Sequence, residues 1–168
     1  MKNLGIVLLA TLAALAGPSA YAANSATATI GANLVTAISI VKVTDLNFGY
    51  VVPGGTLGTV VIPAVASPTR TLTGGVVLGN AGSTSSASFT VTGAANATYS
   101  ITLPASSSIS DGTNSMTVNT FTSTPSLNGT LSSGGSQALY VGATMNVAAN
   151  QVFVAPFAGT FNVTVNYN

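Results

Sequence analysis

Gly159-Thr160-Phe161-Asn162-Val163-Thr164-Val165-Asn166-Tyr167 decides the fold class. Phe161, Val163, Val165 and Tyr167 fall on one face, and Thr160, Asn162, Thr164 and Asn166 on the other. Successive side chains of a strand point to opposite faces, so a period of two predicts a strand half-buried against a core. Upstream, the same alternation recurs in Thr98-Tyr99-Ser100-Ile101-Thr102-Leu103, in Ser88-Phe89-Thr90-Val91-Thr92 and in Ala26-Thr27-Ala28-Thr29-Ile30. Two denser apolar runs, Leu34 to Val43 and Val60-Val61-Ile62, predict strands buried on both faces. Helix signals are missing: the chain has no Glu, and Lys42 is the one lysine beyond Lys2, so i,i+4 ion pairs cannot form. Thr and Val are abundant instead, and both favour strands.

Turn residues punctuate these strands. Pro53-Gly54-Gly55, Gly74-Gly75, Gly79 to Gly82, Gly93 to Asn96, Asp111-Gly112, Asn128-Gly129 and Gly134-Gly135 fall between the candidates and supply positions for positive φ. Nine or ten strands are predicted, near 26–32, 34–43, 46–52, 57–63, 69–78, 86–92, 97–103, 115–122, 137–147 and 157–167. Ala105 to Ser115 and Ser123 to Gln137 read as longer surface loops. Short strands at this spacing predict an all-β, antiparallel β-sandwich of Ig-like or Greek-key type, with a jelly roll or barrel as the alternative.

The N-terminal end is of another kind. Met1-Lys2-Asn3 precedes the apolar run Leu4 to Ala16, Gly17-Pro18 breaks any helix, and Ala20-Tyr21-Ala22 has small residues at cleavage-site spacing. Residues 1–22 therefore read as a secretory signal peptide, with Ala20 and Ala22 as the cleavage-site residues. The apolar run is shorter than the roughly 20 residues a spanning helix needs, so no stable membrane span is expected after processing. Residues 23–168 are then a single domain with an extended N-terminal segment, 23–33. With no Cys, neither a lipid anchor nor a disulfide can form.

Charge narrows the functions available. Only Lys2, Lys42, Asp45, Arg70 and Asp111 carry formal charge, 3% of the chain, where a soluble domain has about 25%. So few cations cannot neutralise a phosphate backbone, and nucleic acid is excluded as a partner. His and Cys are absent, which removes the usual zinc and transition-metal ligands and most acid–base and nucleophilic schemes. Asp45 and Asp111 are the only carboxylate side chains; Asp111-Gly112 reads as a turn and Asp45 as a strand-start cap. A calcium site on Asp111-Gly112-Thr113-Asn114 would have a single carboxylate, thin for a hard divalent cation. No catalytic, metal or cofactor residues are assigned, and the protein is not expected to be an enzyme.

A mechanism is suggested by the two ends of the mature chain. The segment 23–33 carries Ala26, Ala28, Ile30 and Ala32 on one face, and the closing strand carries Phe161, Val163, Val165 and Tyr167. An extended terminal segment can add to the sheet edge of another subunit, where backbone hydrogen bonds give affinity. A head-to-tail contact of that kind propagates into filaments. Self-pairing of 26–32 as an edge strand of its own domain is the competing reading.

Several motifs, in order, resemble a known family: Ala37-Ile38-Ser39-Ile40, Asp45-Leu46-Asn47-Phe48-Gly49, Phe89-Thr90-Val91-Thr92-Gly93, Ala97 to Pro104, Met116-Thr117-Val118, Val141 to Val147 and Gly159 to Tyr167. Together they are similar to the bacterial secreted domain of unknown function 4402. The resemblance implies an exported, pilin-like β-sandwich of a Gram-negative bacterial surface, and brings no catalytic residues. A looser resemblance to chaperone–usher pilins rests on the alternating C-terminal strand with its penultimate Tyr167. It implies a periplasmic chaperone and usher as partners beside like subunits. The chain departs from those pilins in lacking a disulfide and in its small-residue N-terminal segment. The expected function is an exported structural subunit of a surface filament, pilus or extracellular matrix, assembling by strand addition. The alternative is a monomeric secreted adhesion or binding module with ligand contacts on loops 105–115 and 123–137.

Overall fold

Alternating Thr, Val and aromatic residues give antiparallel sheets with no helix in the computed structural model, which describes residues 24–80 and 82–168. The strands are β1 Ser39–Thr44, β2 Val51–Val52, β3 Gly58–Ile62, β4 Thr71–Gly74, β5 Val77–Leu78 and β6 Ala87–Thr92. They continue with β7 Thr98–Thr102, β8 Ser106–Ser110, β9 Ser115–Thr124, β10 Asn128–Thr130, β11 Ser136–Val147 and β12 Thr164–Tyr167. The predicted signal peptide and its cleavage residues Ala20 and Ala22 lie outside the described residues.

The architecture turns on β11. Its first half pairs with β6, Tyr140 opposite Ser88 and Val141 opposite Ala87. Its second half pairs with β3, Thr144 opposite Val61 and Met145 opposite Val60. The same four residues pair with β9, to Thr124, Ser123, Asn119 and Val118. A strand has two edges, so β6 and β3 must follow one another along one edge while β9 runs along the other. The change of neighbour falls at Gly142, where a Cβ would strike the carbonyl of Ile62 and the backbone of Pro63 and Ala64. Only glycine lets the end of β3 come that close. β1 extends this sheet beyond β6, β4 beyond β3, and β8 beyond β9.

Two apolar cores lie along the inner face. The first joins Ala87, Val91, Leu139 and Val141 to Tyr99, Ile101, Leu131 and Val165. The second set belongs largely to the small second sheet, β10-β7-β12, so this half is a true two-layer sandwich. Tyr99, Leu139, Val91 and Val141 are fully buried, and each such side chain contributes about 1.5–3 kcal/mol. The Tyr99 hydroxyl stays satisfied by donating to Gln137 Oε1 at 2.8 Å. The second core joins Val60, Val76, Met116, Val118, Ala143, Met145 and Val147.

In β9 the inward side chains change parity. Met116 and Val118 are buried, and then Phe121 packs inward. The register slips by one residue against Gly142 and Thr144, and Thr120 has φ of 49°. A bulge with one residue in the left-handed region re-aims the rest of the strand. It sets the Phe121 ring 5.0 Å from that of Phe161.

Several predicted elements need correction. Residues 26–32 form no strand; all are exposed, and a face of three alanines and one isoleucine has little area to bury. The run 34–43 is strand only from Ser39, and β1 is an edge paired solely with β6, so Leu34, Val35, Val41 and Val43 are exposed rather than buried on both sides. The span 46–52 keeps only β2, because Gly49 (φ 70°) turns the chain. Gly74-Gly75 splits 69–78 into β4 and β5. The predicted loop 105–115 contains β8, paired with β9 from Ser106 to Ser110, and the loop 123–137 contains the end of β9 and β10. Within 157–167, only Thr164–Tyr167 is ladder-paired strand.

Candidate functional site

Over the first core the inner face of the large sheet is roofed by β10-β7-β12. Over the second core no strand of that sheet continues. The floor there is Met116, Val118, Phe121 and Met145, and two segments flank it, one of which carries the two-residue strand β2. The open cleft between them has a volume of about 950 Å³.

One wall is Asp45–Pro53. Leu46 and Phe48 point into the second core. Asn47 between them makes a two-way backbone bridge with Ser85, at 2.9 and 3.0 Å. Its side chain accepts the Gly49 N–H at 2.8 Å, closing the turn. Arg70 fixes the wall from outside: Nη1 donates to the carbonyls of Phe48 and Tyr50 at 2.8 and 2.9 Å. A Cβ on Gly49 would collide with that guanidinium. The motif Asp-Leu-Asn-Phe-Gly at 45–49 is thus the wall of a cleft, with Asn47 and Gly49 making the turn and Leu46 and Phe48 packing on the core.

The other wall is the strap Gln151–Phe161. Phe157 packs on the second core and Phe161 on the first. A single bridge, Ser110 with Ala158, ties its backbone to β8, helped by Ser107 Oγ donating to the Thr160 carbonyl at 2.7 Å. Asp111 supplies the remaining anchor. Its carboxylate accepts the backbone N–H groups of Thr113, Asn114 and Val154 at 2.9, 2.6 and 2.8 Å. Desolvation pushes the Asp111 carboxyl upward, but the bonds from Asn114, Val154 and Thr113 outweigh it and hold it far below the usual carboxylate range. The carboxylate is taken up by this turn, as the turn reading of Asp111-Gly112 expects.

Lys42 and Asp45, at the mouth of the cleft, pair at 2.6 Å with both side chains exposed, so the rim carries no net charge. The two carboxylates serve different elements, Asp45 pairing with Lys42 of β1 and Asp111 holding Val154 of the strap. Among the described residues no cluster of three metal-ligating side chains exists, and no helix is long and apolar enough to cross a membrane.

Ala26, Ala28, Ile30 and Ala32 are exposed in the 24–33 segment, Ile30 completely. That segment belongs to an N-terminal unit distinct from Leu34–Asn168. Phe161, Val163, Val165 and Tyr167 instead face their own first core. The Tyr167 hydroxyl accepts the Ala94 N–H at 2.6 Å and donates to the Thr36 carbonyl at 2.7 Å. Tyr50 and Phe153 stand outside any alternating run in the sequence; core placement would be the ordinary expectation for such aromatics, yet both line the cleft exposed, at 68% and 70%.

Residues 38–167 match the family described as Domain of unknown function (DUF4402). The chain belongs to that family. No curated protein and no solved structure is significantly similar to it.

Proposed function

We propose that the protein is an exported structural subunit of a bacterial surface filament or extracellular matrix, assembling by β-strand addition between copies. The observation that carries this reading is the segment 24–33: alternating, uncharged, exposed along its length and outside every strand of the described chain. Exposed alternating segments are templates for pairing with another chain. The charge balance supports it. Once residues 1–22 are removed, Lys42 and Arg70 face Asp45 and Asp111, and a formally neutral surface does little to oppose association.

In this reading the signal is cleaved after Ala22, and a periplasmic chaperone and usher are candidate partners on the way to the surface. The test is to express the full chain in a Gram-negative bacterium and image sheared surface material by negative stain. Filaments or matrix whose subunits begin at Ala23 by mass are expected, with monomers only when residues 23–33 are deleted. Polymers formed equally well by the deletion variant overturn strand addition by this segment. A monodisperse monomer that retains a ligand after the deletion would favour an adhesion module.

A further inference from the structure

We propose that β2, β5 and the start of the strap Gln151–Phe161 form a membrane-contact surface, which enters the headgroup region of a zwitterionic phospholipid bilayer. The side chains that enter are Tyr50, Val52, Val77 and Leu78 on one side and Val152–Val154 on the other. The proposal goes beyond filament assembly and uses no part of the 24–33 segment.

β2 and β5 form a two-stranded ribbon, Val51 opposite Leu78 and Val52 opposite Val77. Val51 and Val76 root the ribbon in the second core, while Tyr50, Val52, Val77 and Leu78 stay exposed. The strap begins beside it. The Asn150 N–H donates to the Gly54 carbonyl at 2.8 Å, in the turn that leaves β2, and Tyr50 and Phe153 line the same cleft. Val152, Phe153 and Val154 are then exposed in succession. Three in a row leave this stretch no polar side. Single exposed apolar side chains are ordinary, but a cluster of them marks a contact surface.

The backbone says what kind of contact. An added strand needs free N–H and C=O groups to pair with, and here many are taken. The Tyr50 carbonyl accepts both the Gly79 N–H at 3.1 Å and Arg70 Nη1 at 2.9 Å. The Gln151 N–H donates to the Ala148 carbonyl at 3.2 Å, and the Val152 carbonyl accepts Gln151 Nε2 at 3.1 Å. The Val154 N–H donates to Asp111 at 2.8 Å. Backbone groups paired in this way can approach hydrocarbon without losing a water partner, the condition a bilayer imposes on whatever enters it. The side chains suit the same medium. Tyr50 has an apolar ring and a polar tip, as residues of the membrane interface do, and the aliphatic side chains beside it supply apolar area.

Charge selects the lipid. No residue of the patch is charged, and the charged side chains beside it are committed, Lys42 to Asp45 and Arg70 to the carbonyls of Phe48 and Tyr50. Anionic headgroups are recognised by clusters of Lys and Arg, which this chain lacks. Protein interfaces are enriched in Arg and carry several direct hydrogen bonds; the patch contains no Arg and a single hydroxyl. A zwitterionic surface asks for apolar insertion alone.

The chain contains no Trp, so one introduced Trp reports on its own position. Full chains are expressed in a Gram-negative bacterium with Phe153→Trp, with Val77→Trp, or with Leu127→Trp as the control, exposed in the turn before β10. Each is mixed with vesicles of phosphatidylcholine alone and with vesicles that also contain phosphatidylglycerol. Emission from Phe153→Trp and Val77→Trp is expected to move to shorter wavelength on both vesicles, equally at low and high salt, with no shift from Leu127→Trp. Phe153→Asp combined with Val77→Asp lowers the fraction of protein floating with the vesicles by about tenfold or more. Both positions are exposed, so the circular dichroism of that variant should match the unmodified chain. No shift at either patch position, an equal shift at all three positions, or flotation undiminished by the Asp pair overturns the membrane surface. Binding confined to the phosphatidylglycerol vesicles and lost in high salt overturns it as well. A shift that grows with protein concentration in the absence of vesicles assigns the patch to a second copy and overturns the bilayer as its partner.

Discussion

At the scale of single residues, Tyr167 does more than end a strand. Its hydroxyl joins the Ala94 amide and the Thr36 carbonyl, so Tyr167→Phe removes two hydrogen bonds that tie the closing strand to other parts of the chain. A loss of about 1–3 kcal/mol is expected by denaturant unfolding, with an unchanged slope. Thr120 is the opposite case, a β-branched residue at φ of 49°, where strain runs to about 1–3 kcal/mol. Thr120→Gly relieves it and gives some back through chain entropy, for a net gain of up to about 1 kcal/mol in the same measurement. Tyr99 supplies a pH effect. Burial raises its pKa above the usual value, so the neutral phenol is the form that folding favours. Its contribution is complete below about pH 10 and lost as pH rises through the elevated value. Ultraviolet titration should find Tyr99 ionising above the usual tyrosine range.

At the scale of elements, the strap Gln151–Phe161 depends on Asp111. Because that carboxyl titrates below the ordinary range, its contribution to stability is complete above about pH 4 and is lost progressively as pH falls from there through the lowered value. Asp111→Ala should free the Val154 amide and expose Val152 to Phe157 to proteolysis at neutral pH, with the sheet intact by circular dichroism. The strap also explains what sequence could and could not reveal. The alternation of Phe161, Val163, Val165 and Tyr167 was legible because it reports which face each side chain buries. It does not report hydrogen bonding, and only Thr164–Tyr167 sits in a ladder. β8 was illegible for the converse reason: Ser106-Ser107-Ser108-Ile109-Ser110 has one apolar residue and reads as loop, yet its backbone pairs fully with β9. The cleft was out of reach too, since it arises where a second layer stops.

At the scale of the whole molecule, a chain whose only ion pair among the described residues is a local one on the surface has little electrostatic steering. On the proposed strand-addition reading, assembly should therefore change little between low and high salt, because screening has almost nothing to remove. Light scattering at matched subunit concentration checks this; a steep salt dependence would point to an association driven by the few charged side chains instead.

The passage of β11 from one neighbour to the next at Gly142 bears on how the molecule comes apart. Leu139 and Val141 belong to one core, and Ala143, Met145 and Val147 to the other. Neither core can melt without stripping half of a strand on which the other depends. The two halves of Leu34–Asn168 should therefore open together, with amide protons along all of β11 exchanging at the rate of global unfolding.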